Sequence, residues 1–581
     1  MYGFQPFWPK RLAPMIREPN KKQPRLPGFE SPFERNLDPN NRWVKLAEVV
    51  PWEEFATAYY SGMSVDQGTP AKPARLMVGA VIIKHRQRWT DEETVLQIQE
   101  NPYLQFFCGF SGFTLEQPFA PSLFVEIRKR MGATVYAQFE QSVDTKLTEI
   151  LTKKKKSKQK EGTNNDPPAS GQDATGQTDK AELATGTESP QQTDSTVESD
   201  GEAEDAKPSG KLIIDATVAE QAIRYPTDLG LLNEAREISE RLIDRLFPLS
   251  GLQKKPRTYR QKARQDFLAL VKKRKPWQST LRRAIRQQLQ YLRRNLGHID
   301  ALLDRFSSPE PAPLGGFMPN LSQKWPDGLL YRHLRQLWVV RRVYDQQKLM
   351  YDNRLRSHPH RIVSISQPHV RPIVRGKAGV AVEFGSKLSA SLDGNGLARV
   401  DELRWDAFNE SADLPGQVEA FKKRHGHYPA VVLADGIYGT RDNRRYCKDR
   451  GIRFGGKPLG RPRKETEANR EELREAKRQR RRDHLERIPI EGKFGQGKNR
   501  HGLAKIRAKL ADTSASWIRA IFLVMNLNLL VRFFFALNRP FLNAAFASLL
   551  ARMVVWQALV QKMADWRRLP QGRPMIAAGA F

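Results

Sequence analysis

Three acidic side chains stand where they could serve one chemistry. Asp215 closes the apolar run "KLIID", Asp435 closes "AVVLAD", and Glu491 sits in "HLERIPIEGKFGQGKNR" among cations and glycines. The two aspartates share a context, each following an apolar strand-like stretch and preceding a small or flexible residue. Taken singly, an Asp after a strand is more often a turn or cap residue. If the two strands lie side by side, both acids emerge at the same end of a sheet, where α/β proteins tend to place ligands. Carboxylates ~4 Å apart repel by about 1 to 4 kcal/mol depending on the local dielectric, so a cluster of them persists best around a hard cation such as Mg²⁺. A pair of such ions can activate a water or a 3′-hydroxyl and stabilise the leaving oxygen during in-line attack on a phosphodiester. That chemistry wants a third acid, and Glu491 is the candidate.

The neighbours of Glu491 have a telling spacing. His484, Arg487 and Lys498 lie at offsets of −7, −4 and +7. At ~100° per helical residue all three fall within about 40° of Glu491, giving one stripe of His, Arg, Glu and Lys. Pro489 complicates the stripe, because inside a helix it removes a hydrogen bond and clashes with the preceding turn at ~3 kcal/mol. Either the helix kinks there, or it starts there and His484 and Arg487 reach in from a loop. A rival reading takes "GKFGQGKN", residues 492 to 499, as a phosphate-binding loop one residue short of the usual pattern, with Asn499 where a magnesium-binding hydroxyl belongs. Such a loop needs a buried strand before it, and the preceding "EAKRQRRRDHLERIPI" is charged, which argues against it.

The chain as a whole is strongly basic. Among 581 residues, 97 Lys and Arg face 64 acids, a formal charge of +33 with a pI near 10.1. Excess on that scale marks a polyanion partner, with nucleic acid the leading candidate. The two cysteines, Cys108 and Cys447, are too few and too far apart for a disulfide framework or a Cys-rich zinc site, which fits a reducing cytoplasm. The N-terminal "MYGFQPFWPKRLAP" lacks the apolar core of a signal peptide, so no secretion is expected. Residues 517 to 537, "WIRAIFLVMNLNLLVRFFFAL", have the length of a membrane span, but Arg519, Asn526, Asn528 and Arg532 interrupt them. An Arg at the centre of an inserted helix costs ~2.5 to 3.5 kcal/mol, so a buried core helix and no membrane are expected.

These residues need elements to position them. After an N-terminal arm, 1–34, residues 35–152 show apolar positions at three- and four-residue spacing, with Thr90 and the following acids as a helix start, and read as a separate all-α domain expected to bind DNA. Residues 153–210 carry almost no large apolar side chain and are expected to be a disordered polar linker. A first core strand follows at 211–227, then a basic helical insert at 228–360, where Leu281, Ile285, Leu289, Leu292, Leu296, Ile299 and Leu303 make one apolar seam. Strand-like stretches resume in 361–537, including "RIVSIS", "VAVEFGSKLSASLD" and "LARVDELRWD", with the turn at Gly394 to Gly396 making a hairpin of the last two. A C-terminal helical tail is expected over 538–581. The order implies an α/β layer structure on a mixed sheet.

At this point the residues resemble the DDE transposases of bacterial insertion sequences, which have a ribonuclease-H-like core. The resemblance rests on "IIDATV", "LADGIYG", and "RIPIEGKFGQGK" followed by "GLAKIRAKLADTSASWIRAIFLVMNLNLL". One group carries a Tyr-x2-Arg-x3-Glu-x6-Lys signature. Arg487, Glu491 and Lys498 match it, with His484 at the Tyr position. Residues 35 to 150 also look like the helical N-terminal domain of these enzymes. The resemblance implies an α/β ribonuclease-H-like catalytic core with a long helical insert after its first strand. It implies Asp215, Asp435 and Glu491 as catalytic ligands of two Mg²⁺ ions, with Mn²⁺ able to substitute, and Arg487, Lys498 and His484 as holders of DNA phosphates. It further implies double-stranded DNA as partner, namely terminal inverted repeats and target, a homodimer on DNA, and a bacterial cytoplasmic, nucleoid-associated location. A related nuclease that cuts without joining, or an inactive DNA-binding derivative, are the alternatives.

Overall fold

The computed structural model describes residues 37–64, 70–161, 207–306, 331–377, 380–461 and 463–536. The expected N-terminal arm, most of the expected linker and the expected C-terminal tail lie outside the described residues.

The N-terminal region is all helical: α1 (Arg42–Val49), α2 (Trp52–Tyr60), α3 (Ala74–Gln87), α4 (Asp91–Glu100), α5 (Pro102–Phe107), α6 (Leu123–Arg130) and α7 (Ala133–Glu161). Local chemistry sets its boundaries. The Thr90 hydroxyl accepts from Glu93 N at 3.1 Å, capping α4, and Asn101 caps α5 with Pro102 in its first turn. Trp43 and Trp52 both pack on Phe107, with ring centroids 5.2 and 5.1 Å away. Helix α7 runs to Glu161, past the boundary expected at 152.

Strand β1 (Lys211–Glu220) leads into a helical insert of α8 (Asp228–Leu246), α9 (Arg260–Val271), α10 (Gln278–Leu303) and α11 (Tyr331–Asp352). The apolar seam behaves as its spacing requires. Leu289, Leu292, Leu296 and Ile299 are buried against Leu232, Ile243 and Val340 of α8 and α11, while the intervening arginines of α10 stay at its surface or edge.

The sheet is completed by β2 (Arg371–Lys377), β3 (Val380–Asp393), β4 (Ala398–Arg404), β5 (Val431–Leu433) and β6 (Arg453–Gly455), with α12 (Leu414–His425) before β5 and α13 (Arg441–Asp449) before β6. Its order is β2-β3-β1-β5-β6, with β4 on β3. β1, β5 and β6 run parallel, and β3 is antiparallel to β1, β2 and β4, so the sheet is mixed. The β3–β4 turn forms at Gly394–Gly396: Asp393 Oδ1 accepts from Asn395 N and Leu397 N at 3.0 and 2.9 Å, and Gly396 supplies the required φ of 86°. The expected strand at "RIVSIS" does not form; residues 361–366 are irregular, and Ile362 instead exchanges hydrogen bonds with the Gln346 side chain.

Two helices close the fold, α14 (Arg470–Arg500) and the apolar α15 (Ala511–Ala536). By length and composition α15 could cross a membrane, but its faces are spoken for by protein. Ala520, Leu523, Val524, Leu527 and Leu530 belong to the core of the N-terminal helices, while Ile518, Ile521, Phe522 and Met525 pack on the sheet. The polar interruptions have structural roles. Asn526 both accepts from Ala398 N and donates to Ala398 O, at 2.9 and 2.8 Å, and Arg519 donates to Val400 O at 2.7 Å. They satisfy backbone groups of β4, a strand paired only with β3 among the described residues.

Candidate active site

β1 and β5 place the two aspartates side by side. Their pairing runs Lys211 with Val431, Leu212 with Val432 and Ile213 with Leu433, a constant offset of 220 residues. Continued by two residues, that offset sets Asp215 level with Asp435. One detail departs from expectation: Asp215 does not end its strand. β1 continues to Glu220 because β3 pairs with it along its whole length, Asp215 facing Ala390. It is β5 that stops at Leu433, leaving the β1 edge beside Asp215 open and letting the chain turn at Asp435. Each aspartate is steadied by an adjacent backbone N–H: Asp215 Oδ1 accepts from Ala216 N at 2.8 Å and Asp435 Oδ1 from Gly436 N at 2.7 Å.

The third acid comes from α14. Pro489 lies inside this continuous 31-residue helix, so His484, Arg487 and Glu491 share it. Ile490 and Phe494, one turn apart, are buried against Ile213 of β1 and Leu433 of β5 and hold the helix across the two strands. Farther up, Asp483 forms a two-pronged ion pair with Arg453 of β6, both distances 2.8 Å. This clamp was not anticipated, since nothing in the spacing of Arg453 and Asp483 marks them as partners.

Arg487 joins the elements. Its guanidinium is 2.8 Å from Glu491 Oε1 and 3.6 Å from Asp215 Oδ2. Burial pushes the Asp215 carboxyl up to about 6, and the charges of Asp435 and Glu491 push the same way, against the Ala216 N–H and Arg487. The four groups therefore form one electrostatic unit. Beneath it lies a second unforeseen pair, the buried Tyr438 and Ser389, whose hydroxyls are 3.5 Å apart.

The remaining members of the stripe lie elsewhere. His484 is exposed, about 10 Å along the axis from Glu491 at ~1.5 Å per residue. Lys498 lies as far in the other direction, lining a 330 Å³ cleft between α14, the 501–508 segment and the N-terminal helices, with Arg88, Arg128, Lys505 and Arg507. Arg88, an exposed residue with φ of 64°, bridges the two regions by donating to Asn499 O at 3.2 Å. No sequence signal pointed to it.

Among the described residues, no group of three His, Cys, Asp or Glu side chains is close enough to hold one ion. By donor type the set still fits a hard divalent cation: three carboxylates on adjoining elements, two of them raising the proton affinity of the third, with one guanidinium among them.

Residues 432–528 match the model of a transposase DDE domain, a stretch that includes Asp435 and Glu491, and residues 31–130 match a transposase domain of the N-terminal helical region. The chain is also similar to an uncharacterized protein, ORF8 in the nfe locus of Rhizobium meliloti, with 41% identity over 104 residues. That alignment covers 18% of this chain and 50% of the relative, so the chain spans about half the length of the curated relative it matches. No solved structure matches. The two family matches are thus both to transposase domains, one over the N-terminal helices and one from β5 into α15.

Proposed function

We propose that this protein cleaves DNA at the ends of an insertion element and joins the freed ends to target DNA, using Asp215, Asp435 and Glu491 in a ribonuclease-H-like core. The observation that supports the reading is the parallel pairing of β1 with β5, whose register carried two residues further aligns Asp215 with Asp435, together with Arg487 of α14 lying 3.6 Å from Asp215 and 2.8 Å from Glu491. The three carboxylates would hold Mg²⁺ or Mn²⁺, and the bound ions would supply activation of the attacking oxygen and stabilisation of the leaving one. The chain's own residues do the rest. Ile490 and Phe494 fix the helix on the sheet, and Arg487 holds Glu491 and Asp215 together and limits their repulsion. His484 and Lys498, one on each side of Glu491 along the helix, would meet phosphates of a strand lying along α14. The partners in this reading are terminal inverted repeats and target DNA, engaged by a homodimer in the bacterial cytoplasm.

The test is cleavage and joining on DNA carrying the element's own ends with Mg²⁺ present. Both activities in the wild type and neither in Asp215→Asn, Asp435→Asn or Glu491→Gln support the reading. Cleavage without joining would reduce it to a nuclease, and no cleavage by the wild type would leave a DNA-binding derivative.

A further inference from the structure

We propose that the turn between α9 and α10, Lys272 to Trp277, is a nucleic-acid contact in which its cations meet phosphates and the Trp277 indole stacks on an unpaired base. This rests on the reading of DNA as the protein's partner and adds a site to it, remote in sequence from the acidic cluster.

The turn reads "KKRKPW". Lys272, Lys273, Arg274 and Lys275 are all exposed, and none has an acidic partner among the described residues. Beside them Val271 is 51% exposed and Trp277 83%, the most exposed of the large apolar side chains described. Folding gives Trp277 no reason to be there. It occupies the N-cap of α10 with backbone φ −61° and ψ 145°, yet makes no side-chain cap hydrogen bond. Ser, Thr, Asp or Asn would serve a cap better, and an indole left in water forgoes the burial that normally repays its size.

Both oddities are resolved by one ligand. Consecutive cations with a free aromatic face match a phosphate backbone that presents bases whose π-faces are open. The surroundings extend the match. The N-terminus of the 26-residue α10 adds partial positive charge at the same spot. A 430 Å³ pocket there is lined by Gln278, Ser279, Arg282, Arg354 and Arg356, and its acid, Asp228, is engaged by Arg361 and Gln347. A fully paired duplex would offer the cations a backbone but the indole only base edges, so the indole selects DNA with an unpaired base, such as a frayed or cut end. An anionic lipid surface would also attract a basic turn with a tryptophan. The cations, however, continue down α10 through Arg282, Arg283 and Arg286, as a rod-like polyanion requires, rather than bordering a broad apolar face.

The test uses the full-length chain and two labelled duplexes, one fully paired and one with a single unpaired 2-aminopurine near its end. We expect wild-type protein to quench the 2-aminopurine. Trp277→Ala should lose the quenching and bind the unpaired duplex at least about fivefold more weakly while binding the paired one as before, and Trp277→Phe should restore most of both. Replacing all four cations with Ala should weaken binding to both duplexes and reduce the slope of log affinity against log salt by about three to four. Unchanged quenching and affinity in Trp277→Ala, an unchanged salt slope in the fourfold variant, or binding of anionic vesicles in preference to both duplexes would each overturn the proposal. None of these readouts needs cleavage. A Glu491→Gln background that cuts normally would therefore defeat the catalytic assignment while leaving the Trp277 result to stand or fall separately.

Discussion

Arg487 lies between two carboxylates from different elements, 2.8 Å from Glu491 Oε1 on its own helix and 3.6 Å from Asp215 Oδ2 on β1. It is the only guanidinium paired with either acid among the described ion pairs, so the acidic cluster rests on a single counter-charge. With the Arg487 side chain 15% exposed and that of Glu491 52%, solvent screens part of the pair.

Removing that counter-charge should therefore be mildly destabilising and correctable. We expect Arg487→Ala to lose about 1 kcal/mol in metal-free buffer, equivalent to about 2 to 4 °C in Tm for a domain of this size. Millimolar Mg²⁺ should return most of the loss if the carboxylates accept the ion. Thermal melts with and without Mg²⁺ check this, and a deficit that Mg²⁺ leaves untouched would contradict it.

Asn526 offers a sharper stability test. Replacing it with Leu makes α15 more apolar, but strands Ala398 N–H and C=O in the interior. Each unmet group costs about 1 to 3 kcal/mol, so Asn526→Leu should destabilise by several kcal/mol despite the added hydrophobicity. Chemical denaturation measures it. A stabilised variant would mean that the β4 contact is not what keeps the asparagine in the helix.

A pH dependence follows from Glu140 on α7. This residue is buried, its Oε1 has no hydrogen-bond partner, and burial pushes its carboxyl up to about 7, against the pull of Arg399 and Arg519. A raised folded-state value favours the protonated form. The contribution is thus fully present below the ordinary value of 4.5 and is lost as pH rises through about 7. At ~1.4 kcal/mol per unit the loss amounts to about 3 kcal/mol across that window. Stability of the wild type should fall relative to Glu140→Gln between these limits, as urea denaturation at a series of pH values would reveal; parallel curves would refute the assignment.

Much of this was legible in the sequence because it is periodic or local. The α10 seam, the Thr90 cap, the Gly394–Gly396 turn and the buried character of α15 all follow from spacing or from a residue's own backbone preference. The three acids could be singled out by context, and the stripe on α14 by arithmetic. Pro489 could not be resolved, because a proline's cost can be outweighed by tertiary burial, here that of Ile490 and Phe494 against the sheet. The extension of β1 beyond Asp215 was equally hidden, since it depends on the pairing partner β3, which lies more than a hundred residues away. "RIVSIS" failed for the converse reason: its apolar alternation meets no partner strand. The Asp483–Arg453 clamp and the Arg88–Asn499 contact are products of the assembled fold and have no local signature.

The central claim is that Asp215, Asp435 and Glu491 act together on a DNA phosphodiester, and Glu491→Gln tests it most directly. The substitution keeps the size of the side chain and can still accept from Arg487, so folding and end binding should stay within a few-fold of wild type. Strand cleavage at the element's own ends, followed by gel analysis in Mg²⁺, is predicted to fall below detection. Cleavage at the wild-type rate by a folded, DNA-binding Glu491→Gln protein would contradict the account.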